Sequence, residues 1–241
     1  MRTSARAAVA VLAAGAALTG CGASGEAASP GAVSEAAATS SAAVSAADLR
    51  DGLLPATAFG EDATVVGLSL EQLGDLPALA GLPQGAAVQP ALCGTALTML
   101  SKAAPGAGAG AGSSPTLVAE GAFANDVRTL EVLADGPALD GLELPVDQLL
   151  SGCSTVTVTG TDGAVTTVDL AALEVPDLGD AATGLQVTVT GPQGTAAALV
   201  GVVSQGSRAV LVVQTGAAGA APDAGDFSAL LGRAADAAGT D

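Results

Sequence analysis

Large aromatic side chains are nearly missing from this sequence, which has three Phe in 241 residues and neither Tyr nor Trp. Any core must therefore be packed from Val, Leu and Ala, with area gained by many small contacts and little ring stacking. Histidine is absent, which removes the commonest general base and metal ligand. Lysine occurs once, at Lys102, and seven cations stand against twenty-four acids, for a formal charge of −17. Such a surface repels phosphate backbones, so nucleic acid is excluded as a partner. There is also no Gly-x-Ser-x-Gly elbow to present a serine nucleophile.

What is present begins with a short leader. Arg2 and Arg6 precede an apolar run from Ala7 to Leu18 that ends on small residues. At about a dozen residues the run is too short for a spanning helix, which needs roughly twenty, and it reads as a secretory signal. Leu18-Thr19-Gly20-Cys21 then resembles the lipobox of bacterial lipoproteins, in which the cysteine thiol is acylated and becomes the first residue after cleavage. One acyl chain holds a protein to a bilayer only marginally, whereas two or three anchor it durably. The expected sites are thus lipid attachment at Cys21 and location on the outer face of the cytoplasmic membrane. Removal of Arg2 and Arg6 leaves a charge of about −19.

With Cys21 consumed, two thiols remain, Cys93 and Cys153, and an exported compartment is where they oxidise to a disulfide. Closing a loop of that length restricts the unfolded chain by about 4 kcal/mol in the loop-entropy model. The organisation expected is a signal peptide over 1–20, a linker over 21–48 carrying the lipidated Cys21, and an α+β domain over 49–241. The linker holds only small and polar residues without apolar periodicity, and as a random coil it reaches about 28 Å.

Within the domain, "DLRDGLLPATAFGED" predicts a short helix or turn and "ATVVGLSL" a strand. Residues 71–83 are broken repeatedly by Pro and Gly and receive no state. A helix is expected from near Ala91, with Cys93 in its first turn and Leu92, Ala96, Met99 and Leu100 on one face. The Gly/Ala run 104–115 reads as a loop, since no Gly-Lys-Ser/Thr follows to make it a phosphate cradle. "TLVAEGAFA" and "VRTLEVLA" are strands joined by a turn at Asn125-Asp126, and "LPVDQLLSGC" is a short helix stopped by Gly152. The alternating "STVTVTG" and "AVTTVDL" form a hairpin.

"GLQVTVTG", the apolar "TAAALVGVV" and "RAVLVVQ" continue the meander, and the last two belong at the sheet centre. Asp226, Phe227, Leu230, Leu231 and Ala234 predict a final amphipathic helix covering one face. The fold class is α+β, a twisted antiparallel sheet flanked by helices with one disulfide, preceded by a disordered tether.

The order of these elements resembles the extracellular sensor domain of mycobacterial PknH-type serine/threonine kinases, and of actinobacterial lipoproteins that carry this domain without a kinase. The likeness spans about residues 49–238 and rests on "DLRDGLLPATAFG", "PALCGTAL", the second cysteine after a helix, "GSRAVLVVQ" and the terminal helix. It implies a strongly twisted antiparallel sheet with a cleft that receives a ligand, and a helix-to-helix bridge between Cys93 and Cys153. This sequence departs from the family in lacking the aromatic and polar residues often found lining that cleft, and no binding residue is carried over.

The function expected is a membrane-anchored sensor-like or ligand-binding module of the cell envelope, with an envelope protein or a small ligand as partner. The alternative is a carrier that buries a lipid or other apolar molecule beneath the sheet. No catalytic residue, cofactor or metal is expected. Calcium at Asp177/Asp180 or Asp223/Asp226 would need a ligand at every second residue, a rhythm that neither stretch has, so these read as solvated turn acids.

Overall fold

The computed structural model describes residues 44–69, 72, 85–94, 116–136, 139, 146–216 and 220–239. Cys21, the leader and most of the linker lie outside the described residues, as do nearly all of 71–83, the helix beyond 94 and the run 104–115.

A nine-stranded sheet among the described residues organises the fold, with every neighbouring pair antiparallel. Its strands are β1 (Thr64–Leu68), β2 (Ala87–Gln89), β3 (Thr116–Ala124), β4 (Val127–Asp135), β5 (Thr155–Thr159), β6 (Val165–Leu173), β7 (Ala181–Gly191), β8 (Gly194–Gln205) and β9 (Arg208–Thr215). In space they run β1-β3-β4-β9-β8-β7-β6-β5-β2. The two apolar strands β8 and β9 therefore stand at the centre, as expected of strands whose flanks are both covered.

Turn chemistry fixes the registers. Asn125 and Asp126 both take positive φ, 48° and 62°, which a two-residue hairpin of the twist-matching kind requires and which Asn and Asp tolerate. That turn pairs Ala124 with Val127 and, four steps further in, Glu120 with Glu131. β5 is Thr and Val in alternation, β-branched throughout, and pairs with a β6 that continues to Leu173, beyond the stretch recognised from sequence.

Among the described residues, helices α1 (Ala46–Arg50), α2 (Val146–Cys153) and α3 (Ala224–Ala238) are placed against this sheet, together with a 3₁₀ turn at Ala56–Phe59. α1 begins with a capping box, Ser45 and Asp48 each satisfying the other's backbone N–H. α3 begins on Asp223, whose carboxylate accepts the Asp226 N–H at 2.9 Å. α2 runs through Gly152 to Cys153 and is not stopped by that glycine. Gly costs about 1 kcal/mol relative to Ala within a helix, and here it falls in the final turn, where the disulfide holds the next residue. β2 carries no signal of its own, since three residues are too few to show alternation; pairing with β5 makes it a strand.

The two main cores lie on opposite faces of the sheet. On one face Leu133, Val210, Val212, Val203 and Leu199 pack against Phe227, Leu230, Leu231 and Ala234 of α3 and against Leu49 and Leu54. On the other face, nearer the β5 end, Val156, Val158, Leu170 and Leu185 pack with Val146 and Leu149 of α2 and with the Cys93–Cys153 disulfide. The bridge joins the helical turn at 91–94 to the end of α2, with both cysteines buried. A third cluster, Ala119, Leu130, Val132 and Val213, shares this second face, and Val200 touches both it and the disulfide cluster.

With Phe227 as its single large ring, α3 makes its core by coming close. A Cβ built on Gly201 would stand 2.6 Å from Leu231 Cδ2 and 3.1 Å from Phe227 Cζ, so the bare backbone of β8 is what the helix rests on. The other end of α3 is tied down by Arg208, which donates to the Ala238 carbonyl at 2.6 Å while pairing with Asp135 at 3.0 Å. A cation on the last carbonyls also complements the negative end of the helix dipole.

Gly201→Val should therefore lower stability in urea unfolding by about 1–3 kcal/mol, the usual range for overpacking a tight core. Leu231→Ala in the same chain should recover part of that loss, and additive losses would show that the contact is not where the strain falls.

Candidate cleft and a buried carboxylate pair

The sheet face that carries α3 is not fully covered. Near the Asn125-Asp126 turn an open cleft of about 710 Å³ lies between two walls. Its floor is Ala122, Ala124, Val127, Thr129 and Gln214 from β3, β4 and β9. One wall is the segment Pro55 to Gly60; the other is Pro222 to Arg233, the first half of α3. Arg233 crosses between them, donating from Nη2 to the Ala58 carbonyl at 3.1 Å.

Local sequence explains the shape. Small residues on β3 leave the floor low, and Pro55 followed by a single 3₁₀ turn raises a short wall without filling the space. In the floor, Gln214 Nε2 donates to Thr129 Oγ1 at 3.3 Å, and both groups retain further hydrogen-bonding capacity. The mouth carries Asp223, Asp226, Asn125 and the Arg233 guanidinium. The cleft thus offers an apolar floor with a few convergent polar groups, the usual make-up of a small-molecule site. Phe59 is its one aromatic, but polar residues are well represented, contrary to the cleft expected from the sequence.

The lining contains no Cys, and its hydroxyls are Thr57 and Thr129, neither paired with a base. Such an arrangement can bind and orient a ligand, and it offers no activated nucleophile. Among the described residues no group of three or more His, Cys, Asp or Glu side chains could hold a metal ion. Two of the acids considered for calcium have structural partners: Asp180 accepts the Gly206 N–H at 2.7 Å, and Asp223 caps α3. Asp226 lines the cleft mouth and stands in the first turn of α3.

Directly beside the cleft floor lies a feature the sequence reading passed over. Two register steps from Ala122 and Thr129, and so next on the same face, Glu120 pairs with Glu131. Glu131 is 1% exposed; its Oε2 accepts the Leu54 N–H at 3.3 Å, while Oε1 of each glutamate is buried without a partner. Burial pushes the Glu131 carboxyl up to about 8, with the Leu54 N–H opposing and the Glu120 charge adding to the rise. Burial also raises Glu120. The signal was available: each glutamate stands five residues from the nearer residue of the Asn125-Asp126 turn, so a two-residue hairpin must set them opposite each other.

Comparison with solved structures bears on the fold alone. The fold is that of the PknH extracellular domain. That domain, from Mycobacterium tuberculosis, aligns over 83% of this chain and 98% of its own length with a TM-score of 0.51 at 14% identity. An uncharacterised protein of Mycobacterium smegmatis, a Rv0999 ortholog, aligns over 78% of this chain and 94% of its own with a TM-score of 0.44 at 20% identity. No family model matches the chain, and neither does any curated protein.

Because the folded-state value of Glu131 lies above its unfolded value, the folded protein binds the extra proton. Its favourable balance is complete below about pH 4.5 and is lost as pH rises through about 8. Glu131→Gln keeps an acceptor for Leu54 without the charge. The variant should match the wild type near pH 4.5 and exceed it by roughly 5 kcal/mol at pH 9 in urea unfolding. A constant difference across that range would mean that Glu131 does not titrate on unfolding.

Proposed function

We propose that this chain is a lipid-anchored extracytoplasmic lipoprotein whose folded domain is a sensor-like, ligand-binding module of the cell envelope. The observation that carries the reading is the open, mixed-polarity cleft between the 55–60 segment and α3. It sits on a fold shared with a domain described as the extracellular part of PknH. A disulfide between cysteines sixty residues apart suits an oxidising compartment. Among the described residues no helix is long and apolar enough to cross a membrane, and the anchor in this reading is the acylated Cys21.

The partner is a small molecule held in the cleft or an envelope protein that reads its occupancy. Nucleic acid is no part of this reading, given the charge of −17. Nor is a reaction, since the cleft offers binding groups and no nucleophile–base pair. The cleft also favours this reading over that of a lipid carrier. Beneath the sheet, where a carrier would need its cavity, Phe227, Leu230 and Leu231 fill the space against β8 and β9.

Two measurements test this reading. Expressed in an actinobacterial host, the chain should incorporate radiolabelled palmitate and show globomycin-sensitive processing, both abolished in Cys21→Ala; an unlabelled protein released to the medium would remove the anchor. Mass spectrometry of the native extracted protein should show no acyl chains beyond those on Cys21. A stoichiometric extra lipid would favour the carrier.

A further inference from the structure

The wall of the cleft and the buried carboxylates are joined through one residue. Leu54 donates its N–H to Glu131, and the chain continues directly into Pro55 and the 3₁₀ turn that form the wall. α1 and Leu49 pack on β3 and β4 beside the same pair. From these placements we propose that Glu120 and Glu131 form a proton-operated latch, which holds the 46–60 segment on the sheet when the pair carries a proton and releases the segment, opening the cleft, when it does not.

The geometry requires the proton. Each glutamate has a buried Oε1 lacking any donor, and two ionised carboxylates facing each other at adjacent strand positions repel. One proton supplies the O–H that neither oxygen otherwise meets and removes one of the two charges. With the proton gone, the segment covers two desolvated charges in return for a single 3.3 Å hydrogen bond, and water reaching the carboxylates replaces it.

Among the described residues no cation shields the pair from the elements packed around it. β1 presents Gly67 opposite Glu120, and β9 presents Val212 opposite Glu131. Arg208 of β9 stands two register pairs further along that face and binds Asp135 and the end of α3. From α1, Asp48 bonds Ser45 and Arg50 reaches the Ala46 carbonyl, both exposed, and Asp51 is exposed as well. The 3₁₀ turn has no charged residue. From α3, Arg233 bonds Ala58, while Asp223, Asp226 and Asp236 are acids that add no positive charge. Burial and the neighbouring carboxylate place the Glu131 titration near pH 8, so the latch works just above neutrality.

Amide hydrogen exchange of the full chain, corrected for the intrinsic pH dependence of exchange, tests the latch without knowledge of any ligand. Between pH 6.5 and 9, amides 49–60 should lose at least tenfold in protection while β7 to β9 keep theirs. Glu131→Gln should abolish the loss, and Glu120→Gln should move its midpoint to lower pH. In the wild type, carbon-13 shifts of labelled glutamate carboxyls should show one of the pair titrating well above the ordinary range. Unchanged protection of 49–60 across this pH range, an equal loss in Glu131→Gln, or both carboxyls titrating near 4.5 would each overturn the proposal.

Discussion

The contact between α3 and the bare backbone at Gly201 is what the rest of this structure depends on. An aliphatic chain with three rings cannot span a wide gap between layers, so the helix must descend until Phe227 and Leu231 meet the strand itself. Dispersion falls off within an ångström of optimal contact, and closeness substitutes here for side-chain size. Asp223 caps the first turn of the helix from within, and Arg208 of β9 ties its last turn to the sheet. The cleft follows from that descent. Its second wall is the same helix, whose Arg233 reaches across to the opposite wall.

A second constraint works against the first. Glu131 occupies a position where every neighbouring pattern calls for an aliphatic residue, between Leu130 and Val132 and under α1. Replacing a buried polar group by an apolar one of similar shape is often neutral or stabilising, so the fold alone gives no reason to keep two carboxylates there. What they add is sensitivity: the N-terminal segment rests on a site whose charge depends on solution conditions. Among the described residues the other buried polar side chains are Thr129 and Ser204, which carry no charge.

Much of the fold was legible in the sequence because its signals are local. The Asn125-Asp126 turn, the Thr/Val alternation of β5, the twin apolar runs of β8 and β9 and the amphipathic α3 each state their conformation within ten or fifteen residues. The disulfide was readable from the parity of three cysteines. What the sequence hides is non-local. β2 exists only because β5 offers it an edge, and the cleft is built from three separate stretches whose residues are individually ordinary. The glutamate pair fell between these cases: the turn that sets their register was recognised, but two isolated acids in apolar strands look like exposed positions until the helices are in place.

The approach of the described chain to the sheet bears on how a pull along it would be carried. Among the described residues, 44 and 45 lead into α1, and beyond it the Leu54 N–H bonds Glu131. Tension applied there runs along the short segment before it meets any strand, and it loads a helix of five residues and one 3₁₀ turn. The nine-stranded sheet is shielded from such a load, because its first strand begins only at Thr64. A pull would peel away one side of the cleft and leave the platform beneath it standing.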